Sequence, residues 1–171
     1  MIRVPNQLQE QGYVRYTMKD EGELLFYRDI VLSDYGLSET KEHILFMQAD
    51  PMNLKPIFSG YDLIILPNLL EELSDPLLFL TNIHTRLNQD GFLLLASTYE
   101  WDSEKTPRDK WPGGFKRDGE PVTSLHGIRE ALEPQFTLCR KPEEITFTLK
   151  KSTRTSEQRR VQLTIWKKNG K

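Results

Sequence analysis

The stretch Tyr61-Asp-Leu-Ile-Ile-Leu-Pro67 … Gly91-Phe-Leu-Leu-Leu-Ala-Ser97 decides the fold of this chain. Each run is apolar on consecutive positions for five to seven residues. This pattern is typical of strands that are covered on both faces. A third run of the same kind, His43-Ile-Leu-Phe-Met-Gln48, precedes them and predicts another strand.

A capped amphipathic helix is predicted between the last two runs. Asp75 supplies an N-cap and Pro76 the first helical position. One helical stripe at spacings of three and four contains Leu77, Leu80, Ile83, His84 and Leu87. We interpret His84 as a packed structural histidine. Strand, helix and strand together predict a βαβ unit with parallel strands and a right-handed crossover.

The elements predicted on either side of this unit complete an α/β chain. On the N-terminal side they are a helix over Ile2–Gln11 ended by Gly12 and a hairpin of Tyr13–Met18 with Glu23–Tyr27. On the C-terminal side they are a helix over Ser124–Leu132, a strand over Phe136–Cys139 and an antiparallel hairpin of Glu144–Lys151 with Arg160–Lys167. Cys139 is predicted to lie in the core.

Length and composition exclude several classes of protein. The 171 residues suit one domain, and 23 basic against 25 acidic residues leave no excess of positive charge for nucleic acid. A basic turn holds Lys150, Lys151, Arg154, Arg159 and Arg160, and we interpret it as a solvated turn in preference to a nucleic-acid contact. No membrane segment or signal peptide is predicted, so a cytoplasmic protein is expected.

Metal and disulfide chemistry are not indicated either. The single cysteine excludes an intrachain disulfide and a zinc site built from thiolates. His43 and His126 are isolated, and no spacing of His, Asp and Glu suggests a metal ion. The candidate chemistry therefore lies at the strand ends, because open α/β sheets bind ligands beyond the carboxyl ends of their strands. Those ends are Gln48–Asn53, Leu66–Glu72 and Ser97–Trp101.

Several motifs in order along the chain resemble one family. They are Asp50-Pro-Met-Asn-Leu-Lys-Pro56, Gly60-Tyr-Asp-Leu63, Asn68-Leu-Leu-Glu-Glu-Leu-Ser-Asp-Pro76, Thr106-Pro-Arg-Asp-Lys-Trp-Pro-Gly-Gly-Phe-Lys116 and Asp118-Gly-Glu-Pro-Val-Thr123. The chain closely resembles the C-terminal methyltransferase domain of the ovothiol-biosynthesis enzymes, a 4-mercaptohistidine N1-methyltransferase. This resemblance implies S-adenosylmethionine as cofactor and N-methylation of the imidazole of a thiolated histidine.

One departure from that family changes the expected fold. Family members begin with a strand and a Gly-rich turn for the cofactor, but the ten glycines here include no G-x-G-x-G run, and Met1 falls inside the helix after the family's second strand. We therefore expect one partial domain over residues 1–171. Its fold is an incomplete class I (Rossmann-like) methyltransferase fold that ends in an antiparallel hairpin and lacks the first one or two βα units. The alternative is a catalytically inactive, truncated homologue that does not bind the cofactor alone or needs a partner chain for the missing strands.

The resemblance assigns the cofactor to Asp50, Met52 and Asn68. Asp50 would contact the adenine amino group, or it would only shape a turn before Pro51. Asn68 would lie near the transferred methyl group, or it would cap a helix. Both alternatives stay open for each residue.

The resemblance places the substrate against the segment after the third strand. Tyr99 and Trp101 would stack on the imidazole. Trp111, Phe115 and Lys116 would close over the site, and Arg108 or Lys116 would hold a carboxylate. The alternative is a loop that its own aromatic side chains fix in place. If the substrate needs a base, the candidates are Tyr99 and Glu100.

Overall fold

The computed structural model describes residues 2–170 of the chain. The chain, predicted as one domain, divides into two compact units. Within the described range, the first unit contains residues 2–49 and 148–158, and the second contains residues 50–147 and 159–170. Each unit is described separately below. No helix within residues 2–170 has both the length and the apolar character needed to cross a bilayer.

The first unit contains a helix and a hairpin in the predicted order. Helix α1 spans Arg3–Gln11 and ends at Gly12, whose φ of 74° lets its N–H reach the carbonyl of Leu8. Strands β1 (Tyr13–Lys19) and β2 (Leu25–Val31) pair antiparallel. The predictions for both elements are confirmed. Short 3-10 helices follow at Leu32–Tyr35 and Thr40–His43.

The strand predicted over His43–Gln48 is wrong. His43 ends the 3-10 helix, residues 44–48 have no regular structure, and none of these residues belongs to a strand of the hairpin in their unit. The Gln9 side-chain amide donates to the carbonyls of Lys41 and Ile44, both at 2.6 Å, where a sheet would use backbone donors. Leu45 is 77% exposed, so an apolar run here does not mark a buried strand.

The second unit is built on the predicted βαβ unit. Strand β3 (Tyr61–Pro67) pairs parallel to β4 (Leu87–Ser97), and helix α2 (Pro76–Asn82) connects them through a 3-10 turn at Ile83–Arg86. The Asp75 carboxylate accepts the backbone N–H of Leu78 at 2.9 Å. The predicted cap, helix and parallel pairing are therefore confirmed. His84 lies half-buried after the helix, with Nδ1 2.8 Å from the Thr81 carbonyl.

The rest of the second unit follows a long connection. Within the connection, β5 (Phe115–Arg117) and β6 (Glu120–Val122) form a small hairpin. Helix α3 spans Ser124–Leu132 as predicted, with its Thr123 cap accepting the His126 N–H at 3.3 Å.

Three further strands complete the main sheet. They are β7 (Phe136–Leu138), β8 (Glu143–Lys150) and β9 (Ser156–Lys168). The order is β3-β4-β9-β7 with β8 beside β9, and β9 is antiparallel to β4 and to β7. The terminal hairpin is confirmed, and the sheet is part of a mixed α/β fold.

The core lies on one face of this sheet. Leu93, Leu95 and Trp166 point to that face and are at most 2% exposed. Helices α2 and α3 contact each other and cover them with Leu80 and Ile128. Because both helices pack on the same side, the predicted covering of the strands on both faces is wrong.

The opposite face carries apolar side chains that neither helix covers, and we call it the open sheet face. Its residues alternate with the core residues along β3, β4 and β9, and they are Leu63, Ile65, Phe92, Leu94, Leu163 and Ile165. Leu63 is 50%, Ile65 53% and Phe92 41% exposed. The register places Cys139, which follows β7, beside Ile165 on this face. Cys139 is exposed, so its predicted place in the core is wrong.

Candidate functional site

The carboxyl ends of β3 and β4 meet at one edge of the sheet. Asn68 follows β3 with a φ of 49°, and its backbone N–H donates to the carbonyl of Ala96 at 2.7 Å. Tyr99 follows β4 with a φ of 59°. Left-handed backbone is uncommon for residues other than glycine and clusters at functional sites. The two strand ends predicted to carry chemistry are therefore brought together.

A buried carboxylate that the sequence analysis missed organises this edge. Glu71 is 6% exposed, and its Oε1 accepts the Ser97 hydroxyl at 2.5 Å and the backbone N–H groups of Thr98 and Tyr99 at 2.8 and 2.9 Å. Its Oε2 is buried without a hydrogen-bond partner among the described residues. The sequence shows Glu71 and Glu72 side by side, and nothing in that pair indicates which one is buried.

Tyr99 is held as a hydrogen-bond donor. Its hydroxyl donates to Oε1 of Gln162 at 3.0 Å. Burial, together with the nearby carboxylates of Glu71 and Glu144, raises the pKa of the Tyr99 phenol well above its ordinary value. The phenol is therefore protonated at neutral pH and is poorly suited to accept a proton. Glu100, the other candidate base, is exposed.

The two indoles predicted to contact substrate pack against each other and hydrogen-bond within the protein. Trp101 and Trp111 stack with ring centroids 6.4 Å apart at 26°. The Trp101 indole N–H donates to the Ser124 hydroxyl, and that of Trp111 to the Thr106 carbonyl, each at 2.8 Å. Both rings thus fix the long connection in place, as the alternative interpretation expects.

Two glycines permit close contact between that connection and α3. A Cβ on Gly113 would lie 2.3 Å from the Thr123 backbone, and one on Gly127 would lie 1.8 Å from the carbonyl oxygen of Pro112. Contacts this short require glycine at both positions. The space beside Gly113 is therefore filled by protein backbone and offers no cradle for a ligand.

Three of the predicted substrate-binding residues line one open groove. Arg108, Phe115 and Lys116 surround a depression of 630 Å³ together with Asp109 and Arg117. The lining carries three cationic side chains and one carboxylate, so its net charge favours an anionic ligand. The Arg117 guanidinium lies 5.8 Å from the centroid of the Phe115 ring.

The structure places Asp50 and Met52 apart from the strand ends. The Asp50 carboxylate accepts the N–H of Met52 at 2.9 Å and caps the 3-10 helix Pro51–Asn53, which is the turn alternative for this residue. Met52 lines a cavity of 290 Å³ beside the C-terminal end of α2. Arg86 fixes the chain that follows by donating to the carbonyl of Leu54 at 2.8 Å. Asn68 lies at the other end of the βαβ unit, so the three predicted cofactor residues are not brought together.

The described residues fit S-adenosylmethionine only in part. Asn68 offers an exposed amide at the strand ends. However, no glycine-rich turn directly follows a strand of the main sheet within residues 2–170, and the Gly113–Gly114 pair lies in the long connection after β4. The same range contains no group of three or more His, Cys, Asp and Glu side chains placed to hold a metal ion.

Comparison with known proteins supports the fold. No family model and no curated protein matches the chain. One similar solved structure is described as "Conversion of a Disulfide Bond into a Thioacetal Group during Echinomycin Biosynthesis". It shares 14% identity with a TM-score of 0.51 over 78% of this chain, and the chain spans 62% of its length. At this identity the likeness concerns the fold alone, which is mixed α/β.

Proposed function

We propose that this chain is an S-adenosylmethionine-dependent methyltransferase domain that N-methylates the imidazole of a thiolated histidine. The observation that carries the proposal is the groove in which Arg108, Phe115 and Lys116 converge. These residues belong to the segment with the strongest likeness to the ovothiol methyltransferase domain. A methyltransferase-like fold is consistent with this chemistry, although one fold serves many functions.

In this proposal the groove binds the amino-acid part of the substrate. A histidine derivative carries an α-carboxylate, which Arg108 or Lys116 binds through charge-assisted hydrogen bonds. Its flat imidazole packs on the exposed part of the Phe115 ring. Sulfur chemistry also belongs to the similar solved structure, which is described by the conversion of a disulfide bond into a thioacetal.

Methyl transfer requires the protein to align the substrate with the methyl donor and to exclude water. S-adenosylmethionine, when bound, supplies an electrophilic methyl group. A neutral imidazole nitrogen is nucleophilic near pH 7. The hydroxyl of protonated Tyr99 already donates to Gln162, which leaves Glu100 as the proposed base. Asn68 remains the proposed neighbour of the reacting group, whereas Asp50 and Met52 lie at the other end of the βαβ unit and have no role in this proposal.

A second candidate function has its own support. The chain would be a non-catalytic domain that acts through a partner. The partial fit to the cofactor favours this reading, and so does the edge of β3 that no described strand pairs with. In this case the groove would still bind an anion, but the chain would transfer no methyl group by itself.

Calorimetric titration separates these candidates. We expect 4-mercaptohistidine to bind the full chain, and Lys116→Gln to weaken binding about tenfold through loss of a charge-assisted hydrogen bond. Lys141→Gln, which changes an exposed lysine outside the groove, is the matched control and should bind like the parent. Mass spectrometry after addition of S-adenosylmethionine then reports methyl transfer. Substrate binding without transfer supports the second candidate, and absence of substrate binding contradicts the first.

A further inference from the structure

The open sheet face is unusual for a surface that contacts water. A sheet with one solvated face normally alternates apolar residues inward with polar residues outward. Here the outward positions are also apolar: Leu63 on β3 lies beside Phe92 on β4, and Ile65 lies beside Leu94. On the next strand, Ile165 continues the row of Ile65 and Leu94, and Lys167 ends the row of Leu63 and Phe92. An apolar patch of this kind on an otherwise charged chain indicates an interaction surface.

We propose that the open sheet face is the interface of a two-fold symmetric dimer, in which the face of one copy packs on the same face of a second copy. Two sheets that pack face to face lie about 10 Å apart with their strands within about 30° of each other. A two-fold interface uses one patch twice, so a flat apolar patch is complementary to itself.

The available area is sufficient for such an interface. Leu63, Ile65 and Phe92 are about half exposed, which corresponds to about 100 Å² each for large apolar side chains. With their half-buried neighbours, each copy offers about 500 Å², and two copies would bury about 1,000 Å², where specific interfaces begin.

The charges around the patch favour a second copy over a charged partner. Lys167 lies at the end of the row that contains Phe92, and its Nζ is 2.9 Å from Oδ1 of Asp90. The charge at this rim is therefore already paired within the chain. A strongly acidic or basic partner would find no complementary charge there, whereas an identical apolar face needs none.

Sedimentation velocity of the full chain tests the proposal. At micromolar concentrations we expect a species of twice the chain mass. Phe92→Lys places a charge within the apolar patch and should give the single-chain mass. Ile57→Lys is the matched control, because Ile57 is 80% exposed and lies in a loop outside the patch, and it should leave the dimer intact.

The position of Phe92 also distinguishes face packing from pairing through the edge of β3. Phe92 lies on the inner strand β4, so a dimer joined by β3 edges would survive Phe92→Lys, and its survival would overturn the proposal. A single-chain mass for the parent protein would do the same, as would loss of the dimer in Ile57→Lys.

Cys139 provides a readout that needs no variant. It is exposed beside Ile165 and is the only cysteine of the chain. Its rate of reaction with a thiol reagent should fall several-fold as the parent protein is concentrated, because the second copy covers it. A rate that does not change while the dimer forms would place the interface elsewhere.

Discussion

The Glu71 carboxylate accepts a 2.5 Å hydrogen bond from the Ser97 hydroxyl, although 26 residues separate them in the chain. The same oxygen accepts the N–H groups of Thr98 and Tyr99. One buried side chain thus joins the segment after β3 to the end of β4. It fixes the backbone at the edge where the proposed chemistry takes place.

Glu71→Ala should strongly destabilise the second unit. The substitution removes the acceptor of two backbone N–H groups and a hydroxyl in a buried site, and unsatisfied groups of this kind cost about 1–3 kcal/mol each. We expect a loss of about 3 kcal/mol in the free energy of unfolding, measured by urea denaturation, with a smaller loss for Glu71→Gln, which keeps one carbonyl acceptor.

The adjacent residue provides the control for this prediction. Glu72 is exposed and pairs with Lys105 on the surface, so Glu72→Gln should leave the urea midpoint nearly unchanged. Equal destabilisation by Glu71→Ala and Glu72→Gln would show that burial of Glu71 does not matter.

Gly127→Ala should destabilise the protein although it raises helix propensity. In an exposed helix this change stabilises by up to about 1 kcal/mol. Here the added Cβ would lie 1.8 Å from the Pro112 carbonyl oxygen, so α3 must move away from the connection. We expect a net loss of about 2–3 kcal/mol in thermal or urea unfolding.

Glu130→Ala on the same helix is the reference for that experiment. Glu130 is exposed, and its ion pair with His126 lies on the surface. The stability of this variant should stay within about 0.5 kcal/mol of the parent. If Gly127→Ala were as stable as Glu130→Ala, the close packing of α3 on Pro112 would be incorrect.

The parts of the fold that local physics determines were predictable. Asp75-Pro76 marks the start of α2, and the apolar runs on either side identify β3 and β4. The boundaries of α3 were also predicted, and the structure adds that the Thr123 side chain caps its start.

The incorrect predictions concern the neighbours of a segment, which the sequence of that segment does not specify. The residues from His43 to Gln48 are as apolar as β3. A strand forms only where a neighbouring strand provides backbone hydrogen bonds, and here the Gln9 side-chain amide donates to the Ile44 carbonyl instead. In the same way, a run such as Leu63–Leu66 does not tell whether helices cover one face of its sheet or both. The hydrophobic pattern of a strand shows which of its side chains are apolar, but it does not show which elements pack on them.

The structure brings some of the candidate site residues together and separates others. Arg108, Phe115 and Lys116 do line one groove. Trp101 and Trp111 instead satisfy hydrogen bonds inside the protein, and Glu71 was missed because only its burial distinguishes it from Glu72. Burial and long-range contacts are properties of the folded chain and leave no local signal.

The Tyr99 phenol should ionise at a higher pH than the other tyrosines. Burial and two carboxylates raise the pKa of its phenol above the ordinary value of 10.0. In an ultraviolet titration of the folded protein, one of the six tyrosines should lag behind the rest, and Tyr99→Phe should remove that lagging component. A lagging component that persists in the variant would assign it to another tyrosine.

The same shift predicts how stability depends on alkaline pH. The folded state holds the Tyr99 proton more tightly than the unfolded state, so the contribution of this group is complete below about pH 10 and declines as pH rises above it. The free energy of unfolding of Tyr99→Phe should therefore fall less steeply above pH 10 than that of the parent. Equal slopes for the two proteins would contradict the raised pKa.

Asp75 both caps α2 and forms an ion pair with Lys110, and two substitutions of Asp75 distinguish the contributions of the cap and the ion pair to stability. Asp75 accepts the Leu78 N–H at 2.9 Å, and its other oxygen lies 3.1 Å from Nζ of Lys110. Asp75→Asn keeps an acceptor for the cap but removes the charge, so it should lose less than about 0.5 kcal/mol of stability, whereas Asp75→Ala should lose about 1–2 kcal/mol. Urea denaturation measures both losses. If the asparagine variant were as unstable as the alanine variant, the ion pair and not the cap would hold the start of α2.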